Sequence, residues 1–331
     1  MTGSILRIAA ATLALLASPA LAADPPADSR GDPATNPLWR EQKVKNYLPH
    51  MSWPEVADLL TRSDIVIIPV ASLEEHGLHG PIGTDFLNSV EEAKLIAQRA
   101  DVLVAPILLP GNSPYHMGFP GTISLPAETI QKVYFEATQS LIRHGFKRFI
   151  FVNDHGGNAA TTRFIVDRIN QETPGIAVEF GEAVQPFLAA ARQPGPPSAA
   201  TPAATRPAAP VFDRHGGTPE TSSSLYLTPN LVDMSKAKTA PLKLPPHMEK
   251  MLPEVVADDP TAKLVFLAEG LKAKETGKRT STREMTETGV WGVADFAGAT
   301  AARGQANITR RVDAAVKFIA RWNELRPAGT K

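Results

Sequence analysis

Hydrophobic residues along this chain recur with two spacings. Unbroken apolar runs at Ile65 to Val70 and Val102 to Leu109, with Arg148 to Asn153 close behind, suit strands covered on both faces of a parallel sheet. Ile176 to Phe180 predicts a fourth strand. Helical spacing appears in Asn88 to Ala100, where Val90, Ala93, Leu95, Ile96 and Ala97 share one face, and in Asn307 to Leu325. Further helices are predicted over Pro126 to His144, Ala159 to Ile169 and Pro245 to Val256. Two more have start signals: Ser52-Trp53-Pro54-Glu55, leading to a stop near Arg62, and Thr218-Pro219, an N-cap and N1 pair. Strand, helix, strand is the unit of a doubly wound α/β sheet. Pro106 places the second strand near an edge or a bulge. Leu264 to Glu287 has no clear period, and Gly289-Val290-Trp291-Gly292 reads as a tight apolar turn.

Two stretches fall outside that pattern. Residues 1–22 carry Arg7, the apolar run Ile8 to Leu16 and an Ala20-Leu21-Ala22 end, which predicts a signal peptide cleaved before Ala23 and an exported protein, periplasmic or secreted. Residues 23–38 read as a disordered leader, and 193–210, QPGPPSAATPAATRPAAP, as a Pro/Ala-rich insertion. A single domain over 39–327 accounts for the rest; 331 residues with 43% hydrophobic content suffice for its core.

The chain carries 34 basic and 34 acidic residues, so nothing in its charge favours nucleic acid or an anionic membrane as partner. It has no Cys, so any transition metal must be held by His and carboxylates. Dinucleotide, NTP and serine hydrolase motifs are absent.

The chemistry gathers where predicted strands end. After Val70 come Glu74, Glu75, His76, His79 and Asp85; in an extended chain Glu74 and His76 project to one side. Gly77, Pro81 and Gly83 let the loop turn so that Asp85 could return there. After the second strand, Gly111 to Thr122 places His116 in a loop that either walls a pocket or simply turns. After the third comes Asp154-His155-Gly156-Gly157-Asn158. Asp213 to Ser223 then adds Arg214, His215 and Glu220. Mixed nitrogen and oxygen donors favour zinc, manganese or iron over calcium.

Four ordered motifs, Glu74-Glu75-His76-Gly77-Leu78-His79 with Asp85, Phe119-Pro120-Gly121-Thr122, Asn153 to Asn158, and His215-Gly216-Gly217 with Glu220-Thr221-Ser222, resemble the creatininase family. The resemblance covers Leu48 to Leu227 and the Gly289 to Gly292 turn. It implies a three-layer α/β/α sandwich with a mostly parallel sheet, commonly a homo-oligomer (a hexamer), and two divalent ions that hydrolyse a C–N amide bond, often in a small ring. By motif, Glu74 and His155 would hold one ion, His76 the other, Asp85 would bridge, and His215 would be the catalytic histidine that protonates the leaving nitrogen. In the family's namesake enzyme a carboxylate of the second ion lies two residues after the histidine matched by His155. Gly157 stands there in this chain, which leaves Glu220 to take the role and counts against creatinine itself as substrate. Glu75 and His79 would steady the metal ligands or bind substrate. Arg214 would either receive an anionic substrate group or pair outward with Asp213. The expected partner is a small-molecule amide; the alternatives are a deformylase or peptide-trimming amidohydrolase, and a non-catalytic periplasmic metal- or ligand-binding protein.

Overall fold

A four-stranded parallel sheet in the order β2-β1-β3-β4 organises the structure, with β1 Ile65–Val70, β2 Leu103–Val104, β3 Arg148–Asn153 and β4 Ile176–Glu179. The computed structural model describes residues 42–190, 212–270, 281–292 and 296–330. The predicted signal peptide 1–22, the leader 23–38 and the insertion 193–210 lie outside them. Val44–Lys331 forms one compact unit.

Alternation along the strands builds two cores. Val66, Ile68 and Val70 of β1 join Phe149 and Phe151 of β3 against helices α1 (Trp53–Leu60), α3 (Ala127–Arg143) and α4 (Ala159–Glu172). Ile65, Ile67, Ile150 and Val152 face the other way, onto α2 (Thr84–Ala100), α5 (Phe180–Ala190) and a 25-residue helix that closes this side. The result is the three-layer α/β/α sandwich. Each fully buried aliphatic or phenyl side chain contributes roughly 1.5–3 kcal/mol, so this double-sided burial fixes the strand ends from which the site is built.

β2 is far shorter than the apolar run Val102 to Leu109 suggests. Ile67 faces β2 and accepts from the Ala105 amide, so Pro69, two residues on, faces the same way. It has no N–H to offer, and its carbonyl accepts from the Tyr134 hydroxyl instead. Pairing therefore stops, and the chain beyond Val104 is released into the loop bearing His116.

Ser52 caps α1 with the expected capping box to Glu55. α2 begins at Thr84, four residues earlier than its apolar spacing suggests, which places Asp85 on a helix instead of a loop. In the helix after His215 Gly217 is the N-cap and Thr218 the first residue, one position from the predicted assignment. The Gly289 to Gly292 segment is not only a turn: β6 (Trp291–Gly292) pairs antiparallel with β5 (Asp213–His215). α6 (Thr218–Leu227) follows β5; α7 (Pro246–Val256), α8 (Pro260–Gly270) and α9 (Ser281–Met285) precede β6. These elements enclose a third core around Phe212, Phe266 and Trp291. α10 (Ala301–Leu325) starts six residues before Asn307, capped by the Thr300 side chain. Among the described residues no helix is long and apolar enough to cross a membrane.

Candidate metal centre

Past Val70 the chain stays extended because both neighbours hold it. The Leu73 amide donates to Pro110, the Leu73 carbonyl accepts from Ile123, and the Glu74 amide donates to Ile82. Glu74 and His76 consequently point into one space while Glu75 points elsewhere. Gly77 then turns at φ +74°, where a Cβ would meet the His79 ring at 2.9 Å. Asp85 returns on the first turn of α2, where the helix N-terminus favours an anion. Its Oδ2 accepts from the Ser72 hydroxyl at 2.8 Å.

Two histidines meet these carboxylates in the same way. His155 Nε2 lies 3.0 Å from the Asn112 carbonyl, and His76 Nδ1 lies 3.1 Å from the Glu74 carbonyl. A carbonyl only accepts, so those nitrogens carry the hydrogens. The opposite nitrogens face carboxylates: His155 Nδ1 is 3.0 Å from Glu74 Oε1 and 3.2 Å from Asp85 Oδ2, and His76 Nε2 is 2.9 Å from Asp85 Oδ1 and 3.7 Å from Glu220 Oε2. A neutral ring would aim its lone pair at an anion. A proton or a metal cation must stand between each ring and its carboxylate. Glu74 Oε2, buried without a hydrogen bond, fits the same conclusion.

Without metal the protein answers with protons. Burial opposes charge on His76, but the Asp85 carboxylate outweighs it and lifts the ring to about 10. His155 is likewise raised by Glu74 and Asp85 against its burial. Burial would raise Glu74, yet His155 and His116 bring it down to about 2. Asp85 is lowered by His76 and His155. Glu220 keeps a third of its side chain exposed (33%), but the surrounding protein still raises its carboxyl.

His215 stacks between the other rings, with its centroid 4.0 Å from that of His116 and 4.4 Å from that of His76. Its Nε2 donates to the Glu75 carbonyl at 2.5 Å, and its Nδ1 faces Glu74 Oε1 at 3.6 Å. Burial and His76 lower its basicity; the Glu75 and Glu74 carboxylates reverse this and bring it to about 9. Glu75 Oε1 lies 2.9 Å from His116 Nδ1 and 3.3 Å from His215 Nε2, an electrostatic contact with both rings. His79 binds the Thr221 hydroxyl at 2.8 Å, behind the array beside Glu220.

Potential metal-binding groups with donor atoms within 4.8 Å of one another are Glu74/His76/Asp85, His76/His215/Glu220 and Glu74/His116/His215. All the sequence-predicted residues except Glu75 and His79 line one cavity or contribute to these groups. That cavity, about 180 Å³, is walled by Arg214, Tyr115 and Trp291 as well as the acids and histidines. A groove of about 730 Å³ beside α1 and α3 is larger, but its lining is apolar apart from Ser140, His144 and the Tyr134 hydroxyl.

Sequence reasoning missed three features. Tyr115 places its hydroxyl 3.2 Å from His155 Nε2, where its oxygen can accept from the ring N–H, and burial pushes its phenol up to about 12, so it stays neutral. Trp291 reached the site through a pairing remote in sequence. Arg311 on α10 bridges Glu92 on α2 and Asp154 beside His155, at 2.8 Å to each. Only the aromatic at 115, next to His116, carried any local signal.

A model of the creatininase family, described as creatinine amidohydrolase, matches residues 49–319. Creatinine amidohydrolase of Pseudomonas putida is 29% identical over 262 residues, spanning 75% of this chain and 95% of its own length. Mycofactocin precursor peptide peptidase of Mycolicibacterium smegmatis is 30% identical over 194 residues, spanning 56% of this chain and 68% of its own. A solved creatininase superposes with a TM-score of 0.58 at 20% identity, covering 87% of this chain and all of that one. Neighbouring structures include a Zn-Zn form and a Mn form of creatininase, each with a TM-score of 0.56.

Proposed function

This chain belongs to the creatininase family, and on that premise we propose that it is a metal-dependent hydrolase of a C–N amide bond in a small molecule. The observation that carries the reading is the paired orientation of His76 and His155: each spends one N–H on a backbone carbonyl and turns its other nitrogen to carboxylates that demand a cation. Glu74 and His155 form one donor set and His76 with Glu220 the other. Asp85 turns one oxygen to each histidine. Zinc, manganese and iron all suit these donors.

Two divalent ions held by these residues would lend Lewis acidity, making water more acidic and the amide carbonyl more electrophilic. The chain's own residues do the rest. His215, its Nε2–H fixed by the Glu75 carbonyl, holds a second proton on Nδ1 and gives it to the nitrogen as the C–N bond breaks. Glu75 keeps that ring oriented. Tyr115 and Asn112 hold the face of His155 away from the carboxylates. A cavity of about 180 Å³ favours a small cyclic or linear amide over a polypeptide.

Elemental analysis of the purified protein beside a His155→Ala variant tests the reading. About two transition-metal equivalents, falling in the variant together with amide turnover, support it. Less than half an equivalent in both proteins, unchanged by added metal, rejects catalysis and favours a binding protein on this scaffold.

Residues 1–22 support export, with Ala23 as the mature N-terminus; N-terminal sequencing of protein from the periplasm or medium checks this. Family membership supports a homo-oligomer, which sedimentation measures.

A further inference from the structure

Trp291 stands opposite His215 in the β5–β6 pair, so the two side chains share a face of that ribbon. Its indole packs between Phe212 and Phe266, and a Cβ on Gly270 would touch its benzo edge at 2.4 Å. The residue is only 4% exposed, yet its Nε1–H has no acceptor among the described residues. Buried indole donors ordinarily find a partner. Trp291 lines the cavity that contains Glu74 and His215, so a molecule entering there can supply one.

Arg214 lines the same cavity, one residue before His215. Asp213 forms no ion pair with it among the described residues; its Oδ2 accepts from the Thr218 amide at 2.9 Å. Among the described residues no carboxylate forms an ion pair with Arg214, and its charge acts on Tyr115 across the cavity. Arg214 and Trp291 thus both border this cavity, and a guanidinium and an indole N–H together match a carboxylate, which accepts from both.

We propose that Arg214 and Trp291 form a carboxylate subsite on the leaving-group side of the scissile bond, making N-acyl amino acids, linear or cyclised as lactam acids, the substrate class. The side follows from His215: the group that protonates the departing nitrogen lies between these two donors in sequence and pairing. Water's oxygen joins the acyl carbon, the C–N bond breaks, nitrogen leaves with a proton from His215 as the amine of an amino acid, and the proton that water gives up restores His215. The inference rests on the amidohydrolase reading above.

Matched probes test it: N-acetylglycine against N-acetylglycinamide, and 5-oxoproline against its carboxamide, with the full-length metal-bearing protein. Turnover is measured as kcat/KM, and binding by calorimetry. The acids are expected to exceed the amides by about 100-fold in kcat/KM. Arg214→Gln should abolish most of that preference, chiefly through KM, and Arg214→Lys should restore part of it. Trp291→Phe, which keeps the packing, should weaken acid binding about 10-fold. Equal handling of acid and amide by the unaltered protein overturns the subsite and leaves the hydrolase standing. If no probe is turned over, binding decides: tighter binding of the acids, lost in Arg214→Gln, upholds the subsite and refutes only the hydrolase, whereas indifference refutes the subsite as well.

Discussion

A Cβ placed on Gly157 would lie 2.3 Å from the Tyr115 hydroxyl oxygen and 2.4 Å from both the Asn112 carbonyl oxygen and His155 Nε2. The position two residues after His155 therefore lacks a carboxylate and has no room for any side chain.

Gly157→Ala should destabilise the protein by about 1–3 kcal/mol, the usual cost of overpacking, and lower its metal content because His155 must move. Adding Tyr115→Phe should recover only part of the loss, since the Asn112 carbonyl remains. Denaturant midpoints and elemental analysis of the single and double variants check this; a silent Gly157→Ala would contradict it.

Glu220 and Asp85 should differ in what their loss removes. Glu220 faces His76 and, farther off, His215 but not His155, whereas Asp85 faces His76 and His155 with separate oxygens. Glu220→Gln should reduce the protein to about one metal equivalent, and Asp85→Asn should remove nearly both, given a two-ion centre.

The metal-free protein should have a characteristic pH profile. His76 and His215 are raised to about 10 and about 9, so the stability they contribute is complete below their unfolded value of about 6.5 and is lost as pH rises through 9 and 10. Glu74 and Glu75 are lowered to about 2, so their contribution is complete above about 4.3 and is lost as pH falls towards 2. Stability should peak between these limits and decline on the alkaline side from about 6.5. Metal added near pH 8 should release protons from the histidines, which calorimetry in buffers of different ionisation enthalpy detects.

Arg311→Met should be among the most damaging substitutions. Arg311 holds Glu92, which is fully buried and whose carboxyl burial raises to about 8 despite the guanidinium. Removing one partner of such a cluster costs about 3–5 kcal/mol. Because Asp154 adjoins His155, metal content should fall too; Arg311→Lys should be milder in both respects.

The sheet was readable where residues pack on both faces: Ile65–Val70 and Arg148–Asn153 are strands as their composition implies. β2 was overread because an apolar run does not reveal that its neighbour's Pro69 lacks the N–H needed to continue pairing. The starts of α2 and α10 were read late, since Thr84 to Leu87 and Ala301 to Ala306 lack a sustained apolar stripe. That these histidines and acids come together was legible because His and acid at successive strand ends have few structural uses. Trp291 and Tyr115 were not, because an aromatic in a turn looks like packing until the partner strand or the neighbouring glycine is seen.

The Arg311 bridge also bears on the order in which the protein is made. Arg311 follows Glu92 by 219 residues and Asp154 by 157. During translation both acids leave the ribosome long before the guanidinium that compensates them, and at ordinary elongation rates the interval is on the order of ten to forty seconds. Until α10 arrives, Asp154 beside His155 lacks its guanidinium partner, and the turn is tied by the Asn153 and Asn158 side chains. The guanidinium that tethers the turn beside His155 thus comes into place only after synthesis has passed α10.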